Sequence, residues 1–111
     1  MKIYHNTRCS KSRQAYQLLL DAGKNPEVIE YMKAPISKEE LSQVISLLGI
    51  DAYDLVRKKE KIFIEKFKGK DKDKVDWIAA MIEYPNLMER PIYVANGKAT
   101  IGRPPENVLN I

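Results

Sequence analysis

The sequence predicts an α/β protein: one sheet of mixed strand direction with helices packed against it. Three observations lead there. The chain opens as an apolar strand, an amphipathic helix and a second apolar strand, the pattern of a βαβ unit. Its middle carries helix signals. Its end holds two apolar runs around Asn96-Gly97, the strongest short hairpin signal.

The elements follow in order. Ile3-Tyr4 ends a first strand, and a polar turn leads to a helix beginning near Ser10. Ala15, Leu18, Leu19 and Ala22 repeat at the spacing of one buried helical face. Gly23 stops this helix, because only glycine enters a left-handed cap without steric cost. After Lys24-Asn25-Pro26, the run Val28-Ile29-Glu30-Tyr31 reads as a second strand, joined to the first by a right-handed crossover. Ser37 and Glu40 form a capping box, with Ile36 and Leu41 as its hydrophobic staple. Leu41, Val44, Ile45 and Leu48 continue the apolar face to Gly49. Asp51 caps a short helix reaching Val56, and Lys68 to Lys74 reads as an exposed loop of alternating charge. Asp73 is then expected to cap a third substantial helix with Val75, Ile78, Ala79 and Ile82 on its buried face, widened by Trp77 and Met81. Pro85 closes it. Pro91–Ala95 and Lys98–Ile101 form the hairpin, and Pro104 suits the first turn of a closing helix.

At 111 residues the chain is expected to be one domain with a single core. A hydrophobic content of 44% is ordinary for a globular protein, and no apolar run approaches membrane-spanning length. Met1-Lys2 leads directly into a strand, so no signal peptide is expected. The single cysteine cannot form an internal disulfide, which points to a reducing, cytoplasmic setting. The formal charge of +4 does not imply nucleic acid, because fourteen of the nineteen basic residues are lysines interspersed with carboxylates. That is the pattern of a solvated surface. No nucleic-acid or membrane partner is expected, and no metal.

The chemistry centres on Cys9, which stands where turn becomes helix. The first N–H groups of a helix lack internal partners and carry partial positive charge, so a thiolate or oxyanion is stabilised there. Ser10 and Ser12 add hydroxyls, and Arg8, Lys11 and Arg13 add charge. The Cys9 thiol is therefore expected to ionise below the free value of about 8.5. Arg57, Arg90 and Arg103 stand at element boundaries that a compact sheet can bring to one end. Arginine suits a tetrahedral oxyanion, because its planar fork donates two hydrogen bonds and its charge does not titrate away.

Four segments carry a resemblance. His5-Asn6-x-x-Cys9-x-x-Ser12-Arg13, Leu55-Val56-Arg57-Lys58-Lys59, Glu89-Arg90-Pro91-Ile92 and Ile101-Gly102-Arg103-Pro104-Pro105 together resemble the glutaredoxin-linked arsenate reductase family. The likeness runs from Lys2 to the C-terminus, in the same order and roughly the same spacing. It implies a thioredoxin-like fold: a four-stranded mixed sheet flanked by helices, with a helical insertion, here about residues 37–84, between the βαβ and hairpin halves. It implies Cys9 as nucleophile, with Arg57, Arg90 and Arg103 holding the oxyanion. His5 and Ser12 stand near enough in the turn to tune Cys9 and meet the substrate. It also implies a cis peptide before Pro91.

The expected reaction is attack of the Cys9 thiolate on arsenate. An outside thiol resolves the intermediate and arsenite is released. In the family that thiol is glutathione, a co-substrate rather than a bound cofactor, and glutaredoxin is the partner. Thr7-Arg8 and Ser10-Lys11 depart from the Pro-Ala and Gly-Thr that commonly flank the family's cysteine. The chain thus looks closest to a small arsenate-reductase-related branch, and the departures bear on substrate identity. The alternatives are a related thiol reductase with another substrate and an Spx-type transcriptional regulator of the same fold, which binds RNA polymerase. Such regulators typically sense oxidation through Cys-x-x-Cys, and here Ser12 occupies the second position, excluding that internal switch.

Overall fold

The computed structural model describes all 111 residues, Met1–Ile111. They form two compact units, Met1–Ala34 with Arg90–Ile111, and Pro35–Glu89. The first holds a four-stranded sheet of β1 (Lys2–Tyr4), β2 (Glu27–Ile29), β3 (Ile92–Ala95) and β4 (Lys98–Ile101), in the order β2-β1-β3-β4. β1 runs parallel to β2 with Ile3 opposite Val28, and antiparallel to β3 with Ile3 opposite Tyr93. β3 and β4 make the expected hairpin. Its tip has positive φ at both Asn96 (56°) and Gly97 (71°), the backbone that two-residue hairpin loops require.

Helix α1 (Ser10–Asp21) is the crossover from β1 to β2. Its buried line is Ser12, Ala15 and Leu19, with Leu18 half-buried and Ala22 exposed, so the stripe is turned by part of a turn from the expected one. The change follows from Ser12, a polar residue that apolar periodicity ignores. Ala15 and Leu19 pack with Ile3, Tyr93 and Ala95 from the sheet, and with Val108. Val108 belongs to a closing 3-10 helix, Pro105–Asn110. Pro104 is its N-cap residue and Pro105 stands in its first turn, one position later than expected. Gly23 has φ of 80° just beyond α1, as a left-handed stop requires.

The second unit is helical. α2 (Lys38–Leu48) starts with the Ser37 side chain accepting from the Glu40 N–H at 3.1 Å and ends at Gly49 with φ of 70°. The segment Ala52–Leu55 is a 3-10 turn, in which Asp54 accepts from the Asp51 N–H at 3.2 Å. α3 (Lys61–Lys66) lies in the lysine-dense stretch, where the sequence shows no helix signal beyond Phe63, its one buried residue. Asp73 does not cap the next helix. It lies in a 3-10 turn over Lys72–Lys74, and Asp76 caps α4 (Trp77–Glu83), accepting from the Ala79 N–H at 3.0 Å. The buried residues of α4 are accordingly Trp77, Ala80 and Met81, rather than Val75, Ile78, Ala79 and Ile82. Trp77 anchors an aromatic cluster with Tyr53, Phe63 and Phe67. Val56 bridges to Met88, and Arg57 N–H donates to the Leu87 carbonyl at 2.7 Å. No helix is long and apolar enough to cross a membrane.

Candidate active site

The turn between β1 and α1 is built by short hydrogen bonds. The Cys9 N–H donates to the Asn6 carbonyl at 3.0 Å, and the Arg8 N–H to Asn6 Oδ1 at 3.0 Å. Asn6 thus shapes both residues leading into the helix. This is the habit of asparagine in turns, and the signal by which its role was available from sequence. Ser12 is fully buried, and its Oγ accepts the Asn6 N–H at 3.1 Å. His5 is 5% exposed and brings Nδ1 to 2.6 Å from the same Oγ. The His5 ring also lies 5.4 Å from the ring of Tyr16. Burial pushes the His5 pKa below 6.5, with Arg13 adding to the effect and Glu30 opposing it, so the ring is neutral at pH 7. A neutral imidazole can accept the Ser12 O–H at Nδ1.

Cys9 is the N-cap of α1, in extended backbone conformation. Burial raises its thiol pKa, but the opposing effects together outweigh it. These are the Ser12 backbone N–H in the first helical turn, a hydrogen bond and charge from Arg90, and the charge of Arg103. The net shift is downward. Arg103 Nη2 lies 3.5 Å from Cys9 Sγ, and its Nε donates to the Arg90 carbonyl at 2.9 Å. That bond fixes the plane of the guanidinium from a residue two positions before β3. The peptides Arg90–Pro91 and Arg103–Pro104 are both cis, the first as the resemblance implied. Gly102 admits the close approach of these two segments. A Cβ there would stand 2.7 Å from Pro91 Cγ, and the Gly102 N–H donates to the Pro91 carbonyl at 2.8 Å.

Five of the six expected site residues, His5, Cys9, Ser12, Arg90 and Arg103, therefore come together in the first unit. The cations acting on the thiol are Arg90 and Arg103, distant in sequence, rather than the neighbouring Arg8, Lys11 and Arg13. Arg13 donates instead to the Thr7 carbonyl at 2.9 Å. Ser12 directs its hydroxyl oxygen to His5 and Asn6, so it serves Cys9 through its backbone N–H. Arg57 belongs to the second unit. Its guanidinium sits between two carboxylates, Glu60 at 3.1 Å and Glu89 at 4.0 Å.

A sequence model of the ArsC family matches residues 4–111. The chain is 47% identical over 113 residues to a protein of Escherichia coli (strain K12) called "Uncharacterized protein YfgD", covering 100% of this chain and 95% of that one. It is 41% identical over 112 residues to an arsenate reductase of Neisseria meningitidis serogroup A, covering 97% and 94% of the two chains. Among solved structures it resembles an arsenate reductase from Vibrio cholerae with a TM-score of 0.89 and 43% identity, covering 99% of this chain and 95% of that one.

Proposed function

The chain belongs to the ArsC family, and from that membership and the Cys9 site we propose that it is a glutathione- and glutaredoxin-dependent reductase of arsenate. The observation that carries the reading is the thiol of Cys9 at the start of α1 with Arg103 Nη2 3.5 Å from its sulfur and Arg90 hydrogen-bonded beside it.

The Cys9 thiolate attacks the arsenic of arsenate. One As–O bond breaks, and its oxygen leaves as water after taking protons from solution. Arg90 and Arg103 hold the remaining oxygens, each through a planar fork, and offset negative charge where it concentrates in the transition state. The only cysteine is Cys9, so the second thiol comes from outside. Glutathione is the proposed co-substrate. Its sulfur attacks the Cys9 sulfur, the electron pair of the S–As bond stays with arsenic, and arsenite departs. Arsenic gains two electrons while two thiols become one mixed disulfide, which glutaredoxin then reduces. A cycle that consumes free thiols belongs in a reducing compartment, the cytoplasm.

His5 and Ser12 act behind the thiol, holding the turn that aims it. Arg57 is assigned to the oxyanion through the family likeness. The test is arsenate reduction coupled through glutathione, glutaredoxin and NADPH oxidation. NADPH oxidation dependent on all three components, and absent in Cys9→Ser, is expected. A protein that turned over no arsenate with any glutaredoxin would lose the substrate assignment. Arg57→Gln separates the third arginine's role: a raised KM for arsenate supports it, and unchanged kinetics would remove it.

A further inference from the structure

We infer that Arg8 and Lys11, the exposed cations on either side of Cys9, form a docking site for the carboxylates of the thiol that resolves the intermediate. The inference rests on the nucleophile reading above and concerns the second substrate rather than the oxyanion.

The first twenty residues contain Lys2, Arg8, Lys11 and Arg13 but no carboxylate, Asp21 being the first. The turn around the thiol therefore carries positive charge and no carboxylate of its own. Its cations differ in placement. Arg103 and Arg90 are half-buried and act on Sγ itself. Arg13 is tied to the Thr7 carbonyl. Arg8 and Lys11 are exposed, one immediately before the nucleophile and one in the first turn of α1, with Cys9 between them half-buried. The Arg8 backbone is pinned by Asn6 Oδ1, which fixes where its side chain departs from the turn.

Charge in such places does little for an oxyanion already met by two inner arginines. It acts on what approaches the sulfur from solution. A thiol or disulfide bearing carboxylates is attracted, and one bearing ammonium groups is repelled. Arg8 adds a fork able to take a carboxylate through two hydrogen bonds, while Lys11 offers a point charge. The ligand class is thus a small anionic thiol.

Thiol–disulfide exchange tests this without arsenate. The Cys9 thiolate attacks one sulfur of a disulfide, a new S–S bond forms, and the other half leaves as thiolate with the electron pair. Rates would be measured at low salt with oxidised glutathione (anionic), hydroxyethyl disulfide (neutral) and cystamine (cationic). Both members of each rate ratio depend on the same thiolate, so the ratio cancels changes in thiol acidity. The expected order is anionic over neutral over cationic after normalising each rate to that of a free small-molecule thiol. The anionic-to-neutral ratio should fall about threefold for each cation removed in Arg8→Ala and Lys11→Ala. Arg8→Lys should keep most of it, and raising salt should erase it. A normalised ratio of one in the native protein, or one unchanged in the double variant, would overturn the inference while leaving the nucleophile intact. A fall in arsenate affinity with an unchanged ratio would reassign both cations to the oxyanion. Absence of reaction with every disulfide would sink the nucleophile reading as well.

Discussion

At the scale of single residues, Cys9 is set by a contest that burial loses. The Ser12 N–H, Arg90 and Arg103 favour the thiolate more than desolvation disfavours it. Alkylation rate should therefore rise and level off at lower pH than for a free cysteine, whose thiol ionises near 8.5. Arg90→Lys should move that midpoint upward and weaken arsenate turnover about tenfold, because an ammonium lacks the bidentate fork. Ser12 invites a separate test. Its Oγ is the common partner of the Asn6 N–H and His5 Nδ1, and all three groups are buried. Ser12→Ala leaves two buried polar groups unpaired and should cost about 2 kcal/mol in urea unfolding. That Cys9, Arg90 and Arg103 belong together was legible in the sequence, because residue type and motif context survive without coordinates. Which cations reach the sulfur was not legible. Sequence proximity favours Arg8, Lys11 and Arg13, whereas folding brings Arg90, just before β3, and Arg103, just after β4, to the thiol.

At the scale of elements, the strands, the hairpin and the glycine-stopped helices were readable, since each rests on local chemistry: Asn96-Gly97, Gly23, and Ser37 three residues before Glu40. The start of α4 was misplaced because Asp71, Asp73 and Asp76 are all plausible caps within six residues. Only Asp76 precedes a helix that puts Trp77 inside. Its carboxylate is held below the ordinary 3.8, first by the Ala79 N–H, with slight burial opposing and Lys38 assisting at 3.4 Å. A depressed folded-state pKa means stability present above the unfolded value and lost as pH falls through the folded one. Asp76→Ala should therefore cost about 1 kcal/mol at pH 7 and less below about pH 4, read from unfolding midpoints at both. α3 escaped notice because six residues with one buried side chain leave almost no periodicity. Gly102 was visible as part of a motif, but its reason lies in Pro91. Gly102→Ala should destabilise by about 2 kcal/mol, since the new methyl meets Pro91 Cγ at 2.7 Å and Val108 at 3.2 Å.

At the scale of the whole molecule, Cys9, its helix, Arg90 and Arg103 lie in Met1–Ala34 with Arg90–Ile111, while Arg57 lies in Pro35–Glu89. The chain supplies one thiol, and reduction of arsenate takes two, so the proposed mechanism takes its second thiol from a diffusing partner. Cys9→Ser should keep most of the affinity for arsenate while abolishing turnover, because the hydroxyl preserves size but not nucleophilicity. The measurement closest to the central claim is the intact mass of the protein quenched during reaction with glutathione, with and without arsenate, before any glutaredoxin is added. A single glutathione adduct on Cys9 that forms markedly faster when arsenate is present, and never in Cys9→Ser, is the expected result. Adduct formation indifferent to arsenate, or arsenite release without any adduct on Cys9, would contradict it.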